Sequence, residues 1–570
     1  MHRFRSWILD PPEYRSQRNR LLPIEGGDGS TLNLDFTTGV LDSRLSFSRS
    51  SDATFIDSSG LVQWAAVNYF RNTGWTTTST PSQWNLLIGT GTTTWHGDGS
   101  VTMDTGASLT RPAINSNTIT VIQGIEYTFG YHVLAVSGSP TIATVITSSI
   151  AGETFAINGI AVSGSTIVQA GDTVSCKFKT TGTTVTPRLG PGSTNSMINT
   201  SMRITKPQMN PGEILQLYLL NTSTAAANNN TPRFEYDPTT GLLKGLLLEG
   251  SSTNLLNWSE SFATTGGTNN NWSDTNITRT STNNVDPANR TTALRITASA
   301  ANGTIISTAA IGSSAQRTFS IWLRRVSGTG NIQYTLDNGT TYTTQAITSS
   351  WVRYTFESTN ANQQVGIRIV TSGDSIELWG AQLEAVSGAS SYIPTGANQG
   401  TRNADKMSMT DISTMQWNQT AGTFLFHINV VSETNKSLFT TFMGMYTSAP
   451  VRVVRFLLNN SSGTNPRIGN DTWTATPTQI LSSFVTRSTA PTPFKFAVSL
   501  SNTGQTVNQV VNAGNVTTTS GTGTMQTPTR ILWHQDPSAA DTEYFPIHIR
   551  SLKYWPTTLS NSQLQSLTTI

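Results

Sequence analysis

The sequence predicts an all-β protein. Charged residues make up 12% of the chain, against about 25% in an ordinary globular domain, so the Lys/Glu-rich faces of surface helices are missing. Thr, Val, Ile and aromatic residues recur instead in short alternating runs. Gly and Asn clusters separate these runs as turns do. At 570 residues the chain exceeds what one hydrophobic core serves, so about three or four domains are expected.

Residues 1–30 form a short irregular arm in this reading. Arg3, Arg5, Arg15, Arg18 and Arg20 interleave with Phe4, Trp7, Ile8 and Tyr14, and Pro11-Pro12 blocks a continuous helix. Trp, Tyr and Arg dominate interface hot spots, so Arg3, Phe4, Arg5, Trp7 and Tyr14 are anchoring candidates. A solvated basic tail is the bland alternative. Gly26-Gly27-Asp28-Gly29 follows as a flexible joint.

The densest non-repetitive stretch runs from Pro232 to Leu256. Asp237-Pro238-Thr239-Thr240-Gly241 is a turn, since Pro fixes φ and Gly admits a positive φ. Leu242-Leu243 and Leu246-Leu247-Leu248 flank Lys244-Gly245 as buried strands meeting at a bend. The stretch resembles a linking segment of bacteriophage virion proteins, in which an arginine-aromatic-acid-Tyr-Asp turn leads into Gly-Leu-Leu-Leu-Glu and Thr-Asn-Leu-Leu. Its usual preceding half lies far upstream, from Leu34-Asp35-Phe36 through Phe47-Ser48-Arg49-Ser50-Ser51-Asp52 to Gly60-Leu61-Val62. Residues 31–63 and 231–253 are therefore expected to be one scaffold element split by an inserted module, 64–230. Two unrelated loops would be the simpler alternative.

That insert and the following stretch, 254–404, look like repeats. Thr128-Phe129 with Val136-Ser137-Gly138 matches Thr318-Phe319 with Val326-Ser327-Gly328 at a constant offset, and Asn-led openings and Gln-apolar closings correspond. Both resemble the jelly-roll carbohydrate-binding modules that accompany glycan-active enzymes and phage fibres. Residues 405–570 end in a strand, Ile547 to Trp555, and a Ser-capped helical turn with Leu564 and Leu567 three apart. This end is similar to that of a concanavalin A-like (laminin G-like) sandwich. The resemblances together imply tandem β-sandwiches.

A net charge of +3 is too small to suggest nucleic acid as partner. One cysteine, Cys176, excludes an internal disulfide framework. No stretch is apolar and long enough to insert in a membrane, and Met1 to Trp7 lacks a signal-peptide core. A protein made in a host cytoplasm is expected. No G-x-S-x-G, H-E-x-x-H or P-loop occurs, and the six histidines show no metal-ligand spacing. Neither catalytic residue, metal nor cofactor is assigned, and the chain is not read as an enzyme. Asp374 with Glu377, or Asp536 with Asp541, would be the carboxylate pairs to consider, but turn roles suit them better.

Aromatic residues are the better lead, because sugar rings stack their C–H faces on Trp and Tyr. Trp75, Trp84, Trp95, Trp272 and Trp473 sit in polar, loop-like surroundings and are the glycan-binding candidates, with core packing as the alternative for each. The resemblances imply a virion tail fibre or tailspike-like adhesin, held to other virion proteins by the arm and binding bacterial surface polysaccharide. Purely structural head or tail decoration is the alternative, and a capsule depolymerase a third. Weakly protected sheet edges and the need for avidity lead to an expected homotrimer, with Leu242–Leu248 near the subunit contacts.

Overall fold

The computed structural model describes residues 28–570, except 88–90, 108–111, 143–144, 147–148, 192–198, 225–226, 228–229, 263–270, 281–283, 309–315, 360–363, 432–435, 449–450, 461–465, 474–478, 488–491 and 536–545. Every pairing between described strands is antiparallel, and the one α-helix among the described residues is Asn561–Leu567. The all-β expectation holds. The anchoring candidates Arg3, Phe4, Arg5, Trp7 and Tyr14 lie outside the described residues.

The first sandwich sets a seven-stranded sheet, with Glu126–Ser137 and Ser201–Pro211 near its middle, against a four-stranded one. Its core is aromatic: Phe70, Trp75, Trp84, Tyr127, Phe129, Tyr131 and Phe178, with Cys176 among them. The second sandwich faces two five-stranded sheets, one centred on Ser375–Glu384 beside Arg317–Ser327. Its core is more aliphatic, built on Ile296, Ile321, Leu323, Ile367, Ile369 and Leu378.

The repeat holds at the level of single hydrogen bonds. Phe129 pairs with Met209 as Phe319 pairs with Leu383. Asn68 Oδ1 accepts from Met209 N and Phe70 N, each at 3.1 Å; Asn254 Oδ1 accepts from Leu383 N and Leu256 N, each at 3.1 Å. Thr128 Oγ1 donates to Gly212 O (2.8 Å), and Thr318 Oγ1 to Val386 O (2.6 Å). Tyr218 bonds the Thr73 hydroxyl at 3.0 Å, as Tyr392 bonds Ser259 at 2.7 Å. Each Asn thus ties the opening of its module to the closing strand, satisfying buried backbone groups that would otherwise be costly.

The third sandwich departs from the expected segmentation. Its eight-stranded sheet takes Leu32–Asp35, Arg233–Tyr236 and Leu243–Leu248 alongside Ile547–Trp555, with Leu34 opposite Leu552 and Leu247 opposite His548. The facing seven-stranded sheet begins with Ser46–Ser48 beside Lys406–Met409. The two scaffold halves do not stand alone but complete the C-terminal sandwich, whose core holds Leu32, Leu34, Leu246 and Leu248 beside Phe424, Phe426 and Phe456. Placement of Leu242–Leu248 at subunit contacts is corrected accordingly: Leu246, Leu247 and Leu248 are 0–2% exposed inside one chain. Apolar runs of this kind are satisfied as well by an internal sheet as by a partner.

The turn before that strand forms as expected. Asp237 Oδ1 accepts from the amides of Thr239 (3.0 Å) and Thr240 (2.9 Å), and Gly241 adopts φ 66°. Gly245 is obligatory, at φ 126° and with its missing Cβ position 2.4 Å from Ile549 O. At the C-terminus Ser560 and Gln563 form a capping box, and Leu564 is buried against Leu425, Ala497 and Val510.

A buried ionic cluster joins the segments. Arg233 contacts Glu249 at 2.8 Å and also Asp405, Arg49 contacts Asp405 at 3.0 Å, and Arg402 lies 3.4 Å from Glu249. Burial alone would raise the carboxyl pKa values, yet Arg402 and Arg233 hold Glu249, and Arg233, Arg49 and Arg402 hold Asp405, below the usual range. Both carboxylates are held ionised, so removing Arg233, which touches both, would uncover buried charge.

Candidate functional site

The hairpin Thr54–Ile56 with Val62–Trp64 wedges between the first two sandwiches. Toward the second, Val62 N donates to Pro287 O (2.9 Å) and Thr54 Oγ1 to Tyr392 O (2.6 Å). Toward the first, Gln216 Nε2 donates to Trp64 O (3.3 Å), while Gln216 Oε1 accepts from Val67 N (3.1 Å). These bonds fix the half-buried Trp64 ring between two clefts. One, of about 560 Å³, is lined by Trp64, Glu213, Gln216, Glu260, Asn289 and Arg290 over a floor of Trp379 and Tyr392. The other, of about 400 Å³, lies among Asp52, Trp64, Tyr69, Arg71 and the Ile119–Ile122 stretch.

The larger cleft combines a partly open aromatic ring with amide, carboxylate and guanidinium groups. Arg290 is held by Glu260 at 2.9 Å and Asp286 at 3.4 Å, and its guanidinium lies 5.4 Å from the Trp379 ring centre. Glu213 receives Lys177 Nζ at 3.0 Å. Beside it, burial and then the hydrogen bond with Glu213 push the Glu126 carboxyl up to about 7. Glu213 itself is shifted down: burial opposes this, but Glu126 and Lys177 outweigh it. Glu126 Oε2 has no donor, as expected of a carboxyl that keeps a proton for its neighbour.

Four of the five tryptophan candidates are corrected by burial. Trp75, Trp84, Trp95 and Trp272 are 0–4% exposed. Trp75 meets Trp84 and Trp95 edge-on, with centroids 5.2 Å apart in both pairs, and Phe262 lies 5.0 Å from Trp272. Their polar sequence neighbours form loops that fold the rings inward, so no face is left for a ligand. Trp473 remains half-buried, with Nε1 donating to Asp471 at 2.8 Å and the guanidiniums of Arg452 and Arg455 at 5.2 and 5.4 Å from its ring. Trp64 was missed because it stands at the expected boundary between scaffold and insert, and its cleft residues come from four distant parts of the chain.

No protein-family model matches the chain, and no curated protein sequence matches it. Among solved structures, it is similar to the receptor-binding domain of the botulinum neurotoxin C/D mosaic serotype, at 10% identity and a TM-score of 0.23, covering 29% of this chain and 40% of that one. A botulinum neurotoxin type C structure, described as dependent on two ganglioside molecules for cell entry, gives 11% identity and a TM-score of 0.24 over 29% and 40%. The Ruminococcus gnavus IT-sialidase CBM40 bound to alpha2,3 sialyllactose gives 12% and 0.20 over 26% of this chain and 84% of that one. The chain thus spans about 40% of the length of the neurotoxin domains it matches. At such TM-scores these likenesses carry no argument about the function of this chain.

The remaining sequence candidates resolve into structural roles. Asp374 accepts from Gly330 N at 2.7 Å and holds the Gly328–Gly330 turn. Glu377 is buried between Arg295 (2.6 Å) and Arg324. Asp536 and Asp541 lie outside the described residues. Among the described residues no three His, Cys, Asp or Glu side chains are grouped to hold a metal.

Proposed function

We propose that this protein is a glycan-binding virion adhesin of a bacteriophage, of tail-fibre or tailspike type, made in the host cytoplasm and assembled into the particle. The observation that carries the reading is the Trp64 cleft, where an accessible ring stands among Gln216, Asn289, Glu213 and Arg290. That mixture suits a saccharide, which offers an apolar ring face and peripheral hydroxyls. The similarity of the Pro232–Leu256 segment to phage virion linkers supports the setting, and the arm around Arg3, Phe4, Arg5, Trp7 and Tyr14 would attach the chain to other virion proteins. Binding rather than hydrolysis suits the acidic pair, since Glu126 is hydrogen-bonded to Glu213, whereas the two carboxyls of a glycoside hydrolase stand about 5–9 Å apart.

A homotrimer belongs to the same reading. Away from the cleft, Leu217 is 81% exposed and Leu220 is 49% exposed. The equivalent residues of the second module, Ser391 and Pro394, carry no such aliphatic surface, and Ser391 is tied to Arg233 at 2.7 Å. Self-association would cover this strip and supply avidity. Light scattering is expected to give three 61.4 kDa chains for the wild type and one for Leu217→Asp.

Purely structural decoration is the second reading, favoured by the burial of four loop tryptophans in cores. An array of bacterial surface polysaccharides probed with the intact chain separates the two. Saturable binding to a subset of glycans supports the adhesin; absence of binding at micromolar protein leaves decoration.

A further inference from the structure

The charges around the Trp64 cleft are not balanced. Arg290 is the one cation among its lining residues and is already committed to Glu260 at 2.9 Å and Asp286 at 3.4 Å. Lys177, in the wall behind, is committed to Glu213 at 3.0 Å. Among the described lining residues Arg290 faces two carboxylates, Glu213 and Glu260; behind them stand Asp286 and the Glu126 carboxyl, with Lys177 and, opposite Glu126, Lys179 on the neighbouring strand. The lining itself therefore carries an excess of negative charge, one cation against two carboxylates. The ring of Tyr392, its hydroxyl bonded to Ser259 at 2.7 Å, adds no positive group.

We propose, resting on the glycan-binding reading above, that this cleft selects neutral saccharides and rejects acidic ones bearing carboxylate, sulfate or phosphate groups. An acidic ligand seated on Trp64 would bring its charge beside Glu213 in a half-buried space, where like charges repel strongly and water screens them poorly. The one cation among the described lining residues, Arg290, is already ion-paired with Glu260 and Asp286. A neutral saccharide offers hydroxyl donors to Glu213 and Glu260 and acceptors to Gln216 and Asn289, so the same carboxylates become favourable. The discrimination is also pH-dependent. The Glu126–Glu213 pair holds its shared proton below about 7 and releases it above, so raising the pH adds one negative charge to the wall.

The test uses the full chain and two oligosaccharide series of equal length and linkage, one neutral and one with a uronate at alternate positions. Affinities are measured by isothermal titration at pH 6 and pH 8. Neutral members are expected to bind at least about ten-fold more tightly than acidic ones at pH 8, with a smaller ratio at pH 6. Glu213→Gln, of equal size, should narrow the ratio at pH 8, and Glu126→Gln should remove its dependence on pH. Equal or tighter binding of the acidic series, lost in Trp64→Ala, overturns the selectivity and leaves the glycan site standing. Failure of both series to bind, with the glycan array also blank, overturns the site and the selectivity together.

Discussion

Thr231 Oγ1 donates a 2.8 Å hydrogen bond to the carbonyl of Ala66, although 165 residues separate the two in sequence. Arg49 N reaches Asn230 Oδ1 at 3.0 Å just beside it. The first sandwich therefore leaves and re-enters the chain at one point, and its strands pair only among themselves. Entry and exit this close make an insertion thermodynamically undemanding, because the ends need no further ordering.

Replacing residues 67–230 by a short Gly/Ser linker is expected to leave a folded β protein with the other two sandwiches intact. Circular dichroism and a cooperative thermal transition would check this. Loss of the β spectrum would mean that the hairpin Thr54–Trp64 needs the insert to hold its place.

Arg233→Ala would take from Asp405 and Glu249 the buried cation that bridges them, leaving each with one arginine, Arg49 and Arg402. The expected cost is about 3–5 kcal/mol, measured by denaturant unfolding of the full chain. Arg233→Met, which fills the space but removes the charge, is expected to cost nearly as much, because Asp405 and Glu249 lose the guanidinium that bridges them and keep only the cations Arg49 and Arg402. A change under about 1 kcal/mol in both variants would show that the junction contributes little to stability.

His534 is fully enclosed, and burial pushes its pKa down to about 4, from an unfolded value of 6.5. Between these values the unfolded chain binds the extra proton, so stability is complete above about 6.5 and falls as the pH drops toward 4. Burial, with Arg550 and Lys495, lowers His427 to about 4 as well. Chemical denaturation from pH 7 to pH 4 should show this loss, and His534→Gln should flatten part of it. An unchanged slope would place His534 in contact with solvent.

Trp75→Ala and Trp272→Ala are expected to destabilise by about 3–5 kcal/mol each, as large-to-small changes in a packed core do. Glycan affinity of the fraction that remains folded should not change. A stable Trp75→Ala protein with lost affinity would return that ring to the binding surface.

Much of the architecture was legible because it rests on local patterns. The alternating runs gave strands, Asp237 and Gly241 gave their turn, and Ser560 with Leu564 gave the terminal helix. The repeat was visible in Thr128-Phe129 and Thr318-Phe319 because the same buried hydroxyl-to-carbonyl bond is needed in both modules. Two things were not legible. Pairing of Leu34 with Leu552 and of Leu247 with His548 is set by the third dimension, and no periodicity within either strand encodes its partner. Loop tryptophans were misleading because sequence neighbours report the polarity of a loop, not the direction of its rings; Trp64, on a strand, is left half-open to a cleft.

The decisive measurement is the affinity of an array-selected glycan for the wild type and for Trp64→Ala of matched melting temperature, by isothermal titration at pH 7. Stacking on the one open ring of the cleft predicts a loss of about ten-fold or more in Trp64→Ala. An affinity unchanged within error would contradict binding at this cleft and move the glycan elsewhere on the molecule.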